Sequence, residues 1–229
     1  MKLGTYVEIL NFADNASELG AFYRKLGLNK VAEDVYSDGR YHLRVIQGKG
    51  ETPTLRYYGC DVDALISAGL PVKDKTLTSP QGLKIELSDD MPPLQLPHDD
   101  VASAPETTRL GKFGELAVVV NDLEREAAFW EQCGYATLGK YTDPMPWGIW
   151  TDNMHIIGIH QYEAGIPFAI THFDPNMLDV NTQLVSEGIA VEVFDDDGTG
   201  SGNLSHGKFT APNGQLFYLF TGDISREAP

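Results

Sequence analysis

The sequence repeats itself in order along its length, and this duplication limits the folds that the chain can adopt. A shift of 107 positions superimposes four pairs of residues without a gap: Glu8 and Glu115, Phe22 and Phe129, Tyr23 and Trp130, and Gly27 and Gly134. An offset of 132 matches segment 80–87 with segment 212–219, and segment 67–70 resembles segment 186–189 between them. Because the three matches occur in the same order, we infer two halves of similar design.

Each copy begins with a strand followed by a helix. Apolar and β-branched residues predict strands at 5–12 and 115–120. Asn15 and Asp122 are residue types that cap helix N-termini, and Gly27 and Gly134 end the two helices. Further strands are predicted at 29–36 and 41–47 in the first copy, and at 135–141, 148–151 and 154–161 in the second. The repeating unit is therefore βαβββ or close to it.

A second and weaker unit follows each of these. Strands are predicted at 54–60 and 83–87 around a helix at 63–68, and at 168–173, 191–194, 208–211 and 216–220 around a helix at 176–187. The fold class is thus α+β, with four βαβββ-like units. Segment 91–111 contains four prolines and no apolar period, which is typical of a linker. The predicted organisation is a first half at 1–90, the linker at 91–111, a second half at 112–223 and a tail at 224–229.

The composition excludes some classes of partner. The 229 residues include 33 acidic and 17 basic side chains, for a formal net charge of −16. Binding to a nucleic-acid backbone or to an anionic membrane requires a local excess of Lys and Arg, so we expect neither partner. The chain has no apolar run of the roughly 18 residues that a membrane span needs and no signal-peptide pattern, which predicts a cytoplasmic protein. Cys60 and Cys133 are predicted to be small core residues.

Three segments carry a resemblance to a known family. They are 115–125 with the pair Phe129 and Trp130, its partner 8–27, and the turn and strand at 80–87. In this order, and duplicated, they resemble the vicinal oxygen chelate superfamily, which includes glyoxalase I, extradiol dioxygenases and the bleomycin- and fosfomycin-resistance proteins. The resemblance covers nearly the whole chain. It implies that the four units pair into two curled, cup-shaped mixed sheets that hold a ligand or metal on the concave side.

The resemblance also implies where metal ligands would lie, namely on the first and last strands of a unit. The first-strand positions hold Glu8 and Glu115, and the last-strand positions hold Glu86 and Tyr218. The first strands of the other two units offer Thr54 and Phe168, which are poor ligands. Histidines on neighbouring strands could complete a site, with His160 as a further alternative. The candidate ligands of one divalent metal ion are therefore Glu8, Glu86, Glu115, His155 and His172.

The same carboxylates have other interpretations. Glu86 and Glu115 are the catalytic candidates, because a carboxylate in an apolar cup can bind a metal or act as a general base without one. For Glu8, an ion pair with Arg44 or Arg56 is a structural alternative. Aromatic side chains on the strands suit a flat or cationic small molecule. The candidate ligand-binding residues are Tyr57, Trp147, Phe168 and Tyr218.

Three functions follow from these observations. The leading hypothesis is a small-molecule-binding protein of the glyoxalase and bleomycin-resistance type with a degenerate or absent metal site. The alternative is an enzyme, either a glyoxalase-like lyase or an extradiol-type dioxygenase, in which a metal ion polarises vicinal oxygens of the substrate. The third hypothesis is a non-catalytic scaffold for dimerisation, with a second copy of the chain as the partner.

Overall fold

The structure is a computed structural model that describes residues 2–94, 108–162, 167–194 and 205–223. Most of the predicted linker and the predicted tail lie outside these ranges. The limits predicted for the two halves remain predictions.

The first half consists of two units. The first unit contains β1 (Tyr6–Ala13), α1 (Ala16–Lys25), β2 (Asn29–Ala32), β3 (Val35–Ser37) and β4 (His42–Gln47). The second unit contains β5 (Thr54–Tyr58), α2 (Val62–Ser67), β6 (Thr76–Thr78) and β7 (Lys84–Leu87).

The second half repeats this order with longer strands. Its first unit contains β8 (Lys112–Val120), α3 (Leu123–Gln132), β9 (Ala136–Tyr141), β10 (Trp147–Thr151) and β11 (Ile156–Gln161). Its second unit contains β12 (Phe168–Asp174), α4 (Met177–Ser186), β13 (Glu192–Phe194), β14 (His206–Thr210) and β15 (Leu216–Thr221).

Each half forms one mixed sheet, which confirms the predicted α+β fold of paired units. Among the described residues the strand orders are β2-β3-β4-β1-β5-β7-β6 and β13-β14-β15-β12-β8-β11-β10-β9. In both sheets the first strands of the two units pair antiparallel at the centre, and the last strand of each unit pairs parallel with its own first strand. The sheets curl without closing into barrels.

One predicted strand is wrong in detail. The segment 29–36 is not a single strand but the hairpin of β2 and β3, which turns at Asp34 with φ of 59°. Asp tolerates this left-handed conformation, but the turn lacks the glycine that usually signals it. The first unit therefore has all four strands, although its sequence appeared one strand short. Within the described residues, the unit with three strands is the second, which contains β5, β6 and β7.

The helix caps confirm the predicted helix starts. The Asn15 side chain accepts a hydrogen bond from the Glu18 amide at 3.1 Å, and the Asp122 side chain accepts one from the Arg125 amide at 3.0 Å. Gly27 and Gly134 follow the helices with φ of 87° and 93°. These conformations favour glycine, so both copies end the helix by the same mechanism.

The two halves share one apolar core. Helix α1 of the first half packs against the second sheet, where the Phe22 ring lies 6.0 Å from Phe209 and the Tyr23 ring 6.4 Å from Phe217. Because the helices and this core occupy one face of each sheet, the other face of each sheet is left to form a cup. Within the described ranges, no helix is both long and apolar enough to cross a lipid bilayer.

Candidate functional site

The face of the seven-stranded sheet away from the core, here called the first cup, carries a row of alternating charges. The strand register places Arg56 of β5 directly opposite Glu8 of β1 on one side and opposite Glu86 of β7 on the other. Arg44 of β4 approaches Glu8 from the opposite side. The row therefore contains two carboxylates and two guanidinium groups.

Glu8 is fully buried, and its carboxylate accepts four hydrogen bonds. The Arg44 Nε and Nη2 atoms donate to it at 2.6 and 2.8 Å, and the hydroxyls of Tyr6 and Tyr58 each donate at 3.1 Å. The hydrogen bond to Glu8 raises the pKa of Arg44, and burial raises the pKa of Tyr58. Both carboxylate oxygens of Glu8 are therefore occupied by hydrogen bonds within the protein, which matches the structural ion pair with Arg44 that the sequence offered as an alternative.

Glu86 is also paired, but nearer to solvent. Arg56 donates to its Oε2 atom from Nε at 2.8 Å and from Nη2 at 2.5 Å, and Lys84 donates to Oε1 at 2.9 Å. Partial burial favours a higher pKa for Glu86, but hydrogen bonds and charges from Lys84 and Arg56 outweigh it, so the pKa is lowered. Glu86 is therefore anionic at neutral pH. A polar cavity of about 420 Å³ opens beside this pair.

The corresponding face of the eight-stranded sheet, the second cup, contains a different pair. Glu115 of β8 is buried, with 5% of its side chain exposed, and its Oε1 atom lies 2.5 Å from Nε2 of His160 on β11. The carboxylate reaches His160 by lying across Gly158. A Cβ atom at position 158 would fall 2.0 Å from the Glu115 carboxyl carbon, so glycine is required for this arrangement.

Aromatic rings extend this pair towards the edge of the sheet. The Trp147 ring of β10 lies parallel to the His160 ring, with 5.8 Å between centroids and an interplanar angle of 1°. Tyr141 of β9 stacks on Trp147 with centroids 4.2 Å apart. Burial tends to lower the pKa of His160, but the charge and hydrogen bond of Glu115 outweigh it, so the pKa is raised. The His160 imidazole thus has the Glu115 carboxylate at its Nε2 atom and the Trp147 indole parallel to its ring.

The two histidines predicted as metal ligands lie on the other face of this sheet. The register shifts so that Thr171 is opposite Glu115 whereas the next residue, His172, is opposite Phe113. Successive strand residues point to opposite faces, so His172 lies in the core, as does His155, which stacks on Phe113. The predicted grouping of Glu115 with these histidines is therefore wrong, because Glu115 and Thr171 face the second cup whereas His155 and His172 are buried in the core. A bulge at Gly114 brings Phe113 opposite His172.

His172 is a core residue that joins the two halves. Its Nε2 atom lies 3.2 Å from the hydroxyl of Tyr41, whereas its Nδ1 atom has no hydrogen-bond partner among the described residues. Burial, with a smaller contribution from the Arg40 charge, lowers the pKa of His172 to about 3. The ring is neutral in the folded protein.

The candidate ligand-binding aromatics divide between the two faces. Tyr57 lies in the core, not in a cup, and its hydroxyl contacts the hydroxyl of Tyr135 and donates to Asp152 at 3.1 Å. Phe168 is opposite Val118 and packs against the core. Tyr218 is opposite Thr171 and packs on Ala117, Ala169 and Leu216, so it lies in the second cup with Trp147.

Solved structures with a similar architecture include glyoxalases and extradiol dioxygenases. The Mn(II)-bound glyoxalase from Novosphingobium aromaticivorans is 15% identical, with 96% of this chain and 83% of that chain covered and a TM-score of 0.56. A catechol 2,3-dioxygenase is 17% identical, with 100% and 90% covered and a TM-score of 0.56. An extradiol ring-cleaving dioxygenase from B. fuscum is 13% identical, with 99% and 74% covered and a TM-score of 0.61.

This chain has the vicinal oxygen chelate fold. The resemblance that the sequence predicted is confirmed at the level of the fold, which is all that such low identities support. No protein-family model and no curated protein sequence matches the chain.

The metal ion that a vicinal oxygen chelate fold implies does not fit the side chains of the first cup. Arg56 stands directly between Glu8 and Glu86, and guanidinium or ammonium groups already neutralise both carboxylates. A divalent cation at this position would be repelled by Arg56 and would have to displace its hydrogen bonds.

Nor does a metal ion fit the second cup. The positions that correspond to Glu8, Arg56 and Glu86 of the first cup hold Glu115, Thr171 and Tyr218 in the second. Of these three side chains only the glutamate is a strong metal ligand. Nε2 of His160 is hydrogen-bonded directly to that glutamate at a distance that leaves no room for an ion between them. Across the described ranges there is no group of three His, Cys, Asp or Glu side chains that could hold a metal.

Sequence reasoning missed three features of the site. The sequence pattern indicates Thr54 and Phe168 as the positions on the first strands of the other two units, whereas the register places Arg56 and Thr171 opposite Glu8 and Glu115. Sequence reasoning also did not single out Gly158, and it named His160 only as one alternative among several histidines. A glycine two residues before a histidine in a strand is a weak signal, because strand glycines indicate close approach of another group without identifying that group.

Proposed function

We propose that the protein binds a flat small molecule in the second cup and that binding requires no metal ion. The observation that carries this proposal is the state of His160. Its side chain is 23% exposed, its ring is parallel to Trp147, and its Nδ1 atom makes no hydrogen bond to any described residue and is not fully buried. An unused polar atom beside an indole favours a planar ligand with one polar group.

The charge balance of the second cup narrows the ligand class. Glu115 already has His160 as its partner, so the cup does not need a cationic ligand. Neutral His160 would accept a hydrogen bond at Nδ1 from a hydroxyl, and protonated His160 would donate one to a carbonyl or phenolate oxygen. An aromatic ring with a hydroxyl or carbonyl group meets both conditions. Trp147, whose ring lies beside that of His160, would contact such a ring.

The metal-dependent alternative has weaker support. The structural relatives include a Mn(II)-bound glyoxalase and ring-cleaving dioxygenases, but a shared fold does not transfer an activity. The positions on the sheets where a metal ion would be bound include Arg56 in the first cup and Thr171 and Tyr218 in the second, and these are poor metal ligands. The predicted homodimer and the predicted cytoplasmic location stay predictions.

Binding can be tested with 4-nitrophenol and 4-nitroacetophenone as probes and cyclohexanol as a non-aromatic control. We expect both aromatic probes to shift the NMR signals of the His160 ring and the Trp147 indole, before and after treatment with a chelator. His160→Ala and Trp147→Leu should each weaken binding by about tenfold or more, which corresponds to about 1.4 kcal/mol.

The matched control is His42→Ala, because His42 stacks on Tyr6 in the first cup with centroids 5.3 Å apart. This variant should bind the probes as the wild type does. Binding that survives both second-cup substitutions, or that disappears with the chelator, would contradict the proposal.

A further inference from the structure

The second cup contains a carboxylate and an imidazole in an arrangement suited to proton transfer. The Glu115 carboxylate lies deeper, with 5% of its side chain exposed, and the His160 imidazole lies outside it, with 23% exposed. The Nε2 atom is hydrogen-bonded to the carboxylate, and the Nδ1 atom has no hydrogen bond to any described residue. A carboxylate at one ring nitrogen fixes the proton there and leaves the lone pair on the other.

Gly158 shows that this arrangement is built into the strand. The two oxygens of Glu115 lie 2.1 and 2.2 Å from the position where a Cβ atom of residue 158 would be. Gly158 does not have the positive φ that would itself favour glycine. The missing side chain therefore serves to admit the carboxylate, and thereby to orient His160.

We propose that His160, oriented by Glu115, is a metal-free general base that removes a proton from a flat carbon acid bound in the second cup. The substrate class is an aromatic molecule with a C–H group next to a carbonyl or imine. This inference rests on the proposed binding function and adds a chemical step to it.

The step needs no co-reactant. The proton passes from carbon to Nδ1 of His160, the electron pair of the C–H bond forms a C=C bond, and the π electrons of the carbonyl group move to its oxygen, which gives an enolate. Transfer of the proton from Nδ1 to the enolate oxygen gives the enol, which completes a keto–enol isomerisation and regenerates neutral His160. Here His160 is the catalytic residue, and Glu115 is a positioning residue that holds the tautomer and stabilises the imidazolium.

The tautomer can be tested without any ligand. At a pH above the pKa of His160, ¹⁵N NMR should show a proton on Nε2 and none on Nδ1. Glu115→Gln should mix the two tautomers and lower the pKa of His160. A neutral ring that carries its proton on Nδ1 would overturn the proposal, because Nδ1 would then have no lone pair to accept a proton from the substrate.

Turnover can be tested with 5-nitrobenzisoxazole, a planar probe with one acidic C–H bond. When a base removes this proton, the C–H electrons form the third bond of a nitrile, the N–O bond breaks, and the oxygen leaves as a coloured phenolate. With a chelator present, we expect the protein to exceed the rate of the same concentration of free imidazole by about 10²-fold or more. His160→Gln should remove this excess, and His42→Gln, the control in the first cup, should retain it.

The Glu115 role has a separate readout. Glu115→Gln should reduce kcat more than it raises KM, and it should move the pH midpoint of turnover to lower pH. Unchanged KM, kcat and pH midpoint would show that the carboxylate has no positioning role.

Binding of the unreactive analogue 6-nitrobenzotriazole separates the two proposals. The general-base proposal is overturned, and the binding function stands, in either of two cases in which the analogue binds at Trp147. In the first, turnover does not exceed that of free imidazole, and in the second, the excess turnover persists in His160→Gln. If neither the analogue nor 5-nitrobenzisoxazole binds or reacts, both proposals fail for flat aromatic molecules.

Discussion

Replacement of Gly158 by alanine tests the geometry of the second cup with a single methyl group. The new Cβ would lie 2.0 Å from the carboxyl carbon of Glu115, whereas ordinary contacts begin at 3.4 Å. The carboxylate therefore has to move by more than an ångström, and its hydrogen bond of 2.5 Å to His160 cannot survive that movement unchanged. Because the backbone at Gly158 does not have a positive φ, the substitution itself introduces no backbone strain.

The expected cost is the balance of two effects. Alanine restricts the unfolded chain more than glycine does, which stabilises the folded protein by about 0.4–1 kcal/mol. Loss of the partner of a buried charged group costs about 1–3 kcal/mol. We therefore expect a net loss of about 1–2 kcal/mol in the free energy of unfolding. For a chain of this size each kcal/mol lowers Tm by about 2–4 °C.

A double-mutant cycle with Glu115→Ala measures whether the carboxylate is the cause. In the Glu115→Ala background, Gly158→Ala should cost nothing or should stabilise the protein, so the coupling energy should be about 1 kcal/mol or more. NMR titration should also show that Gly158→Ala alone lowers the pKa of His160, because the displaced Glu115 carboxylate then opposes the effect of burial less strongly. Equal costs in both backgrounds, or an unchanged titration, would refute the assigned role of Gly158.

Three other predictions concern the rest of the molecule. Glu8→Gln should lower the free energy of unfolding, measured by urea denaturation, by about 3 kcal/mol, because it removes the buried charge that is paired with Arg44. Glu86→Gln, at a partly exposed position, should lower it clearly less, and equal losses in the two variants would contradict this difference. Burial lowers the pKa of His172 to about 3, so between about pH 6 and pH 4 the unfolded chain binds a proton that the folded chain does not. As the pH falls through this range, the wild type should therefore lose stability relative to His172→Phe by about 1.4 kcal/mol per pH unit. Parallel plots of unfolding free energy against pH for the two proteins would exclude this linkage. Burial raises the pKa of the Cys133 thiol to about 12, so a thiol reagent at pH 8 should modify it only as fast as the protein unfolds, and rapid labelling of the native protein would show that the site opens.

Much of the fold could be predicted because its signals are local and repeated. The caps at Asn15 and Asp122 and the glycines after both helices depend on a few neighbouring residues, and each occurs twice. The hairpin at Asp34 was missed because its turn lacks the usual glycine. Local chemistry therefore predicted the units and their order, and failed where the turn was atypical.

The candidate site was harder to predict because it depends on register. Alternation along β8 suggests that Phe113 and Glu115 share a face, but the bulge at Gly114 separates them. That one-residue shift places Phe113 in the core opposite His172, whereas Glu115 faces the second cup beside Thr171. No pattern within a single strand specifies how it pairs with the next, so the histidine that contacts Glu115, His160, could not be distinguished from the others.

The register also explains why the two cups differ although their sheets are built alike. Directly opposite Glu8 the first sheet has Arg56, and directly opposite Glu115 the second sheet has Thr171. The long guanidinium of Arg56 binds the next carboxylate in the row, so the charges of the first cup are satisfied within the protein. Among the described residues, the short hydroxyl of Thr171 hydrogen-bonds only to the backbone of Glu115, and the Glu115 side chain contacts His160. The residue opposite the central glutamate thus decides how the carboxylate is paired. With Arg56 the glutamate is part of an internal ion-pair network, and with Thr171 it is paired with a histidine whose Nδ1 atom has no hydrogen bond to any described residue.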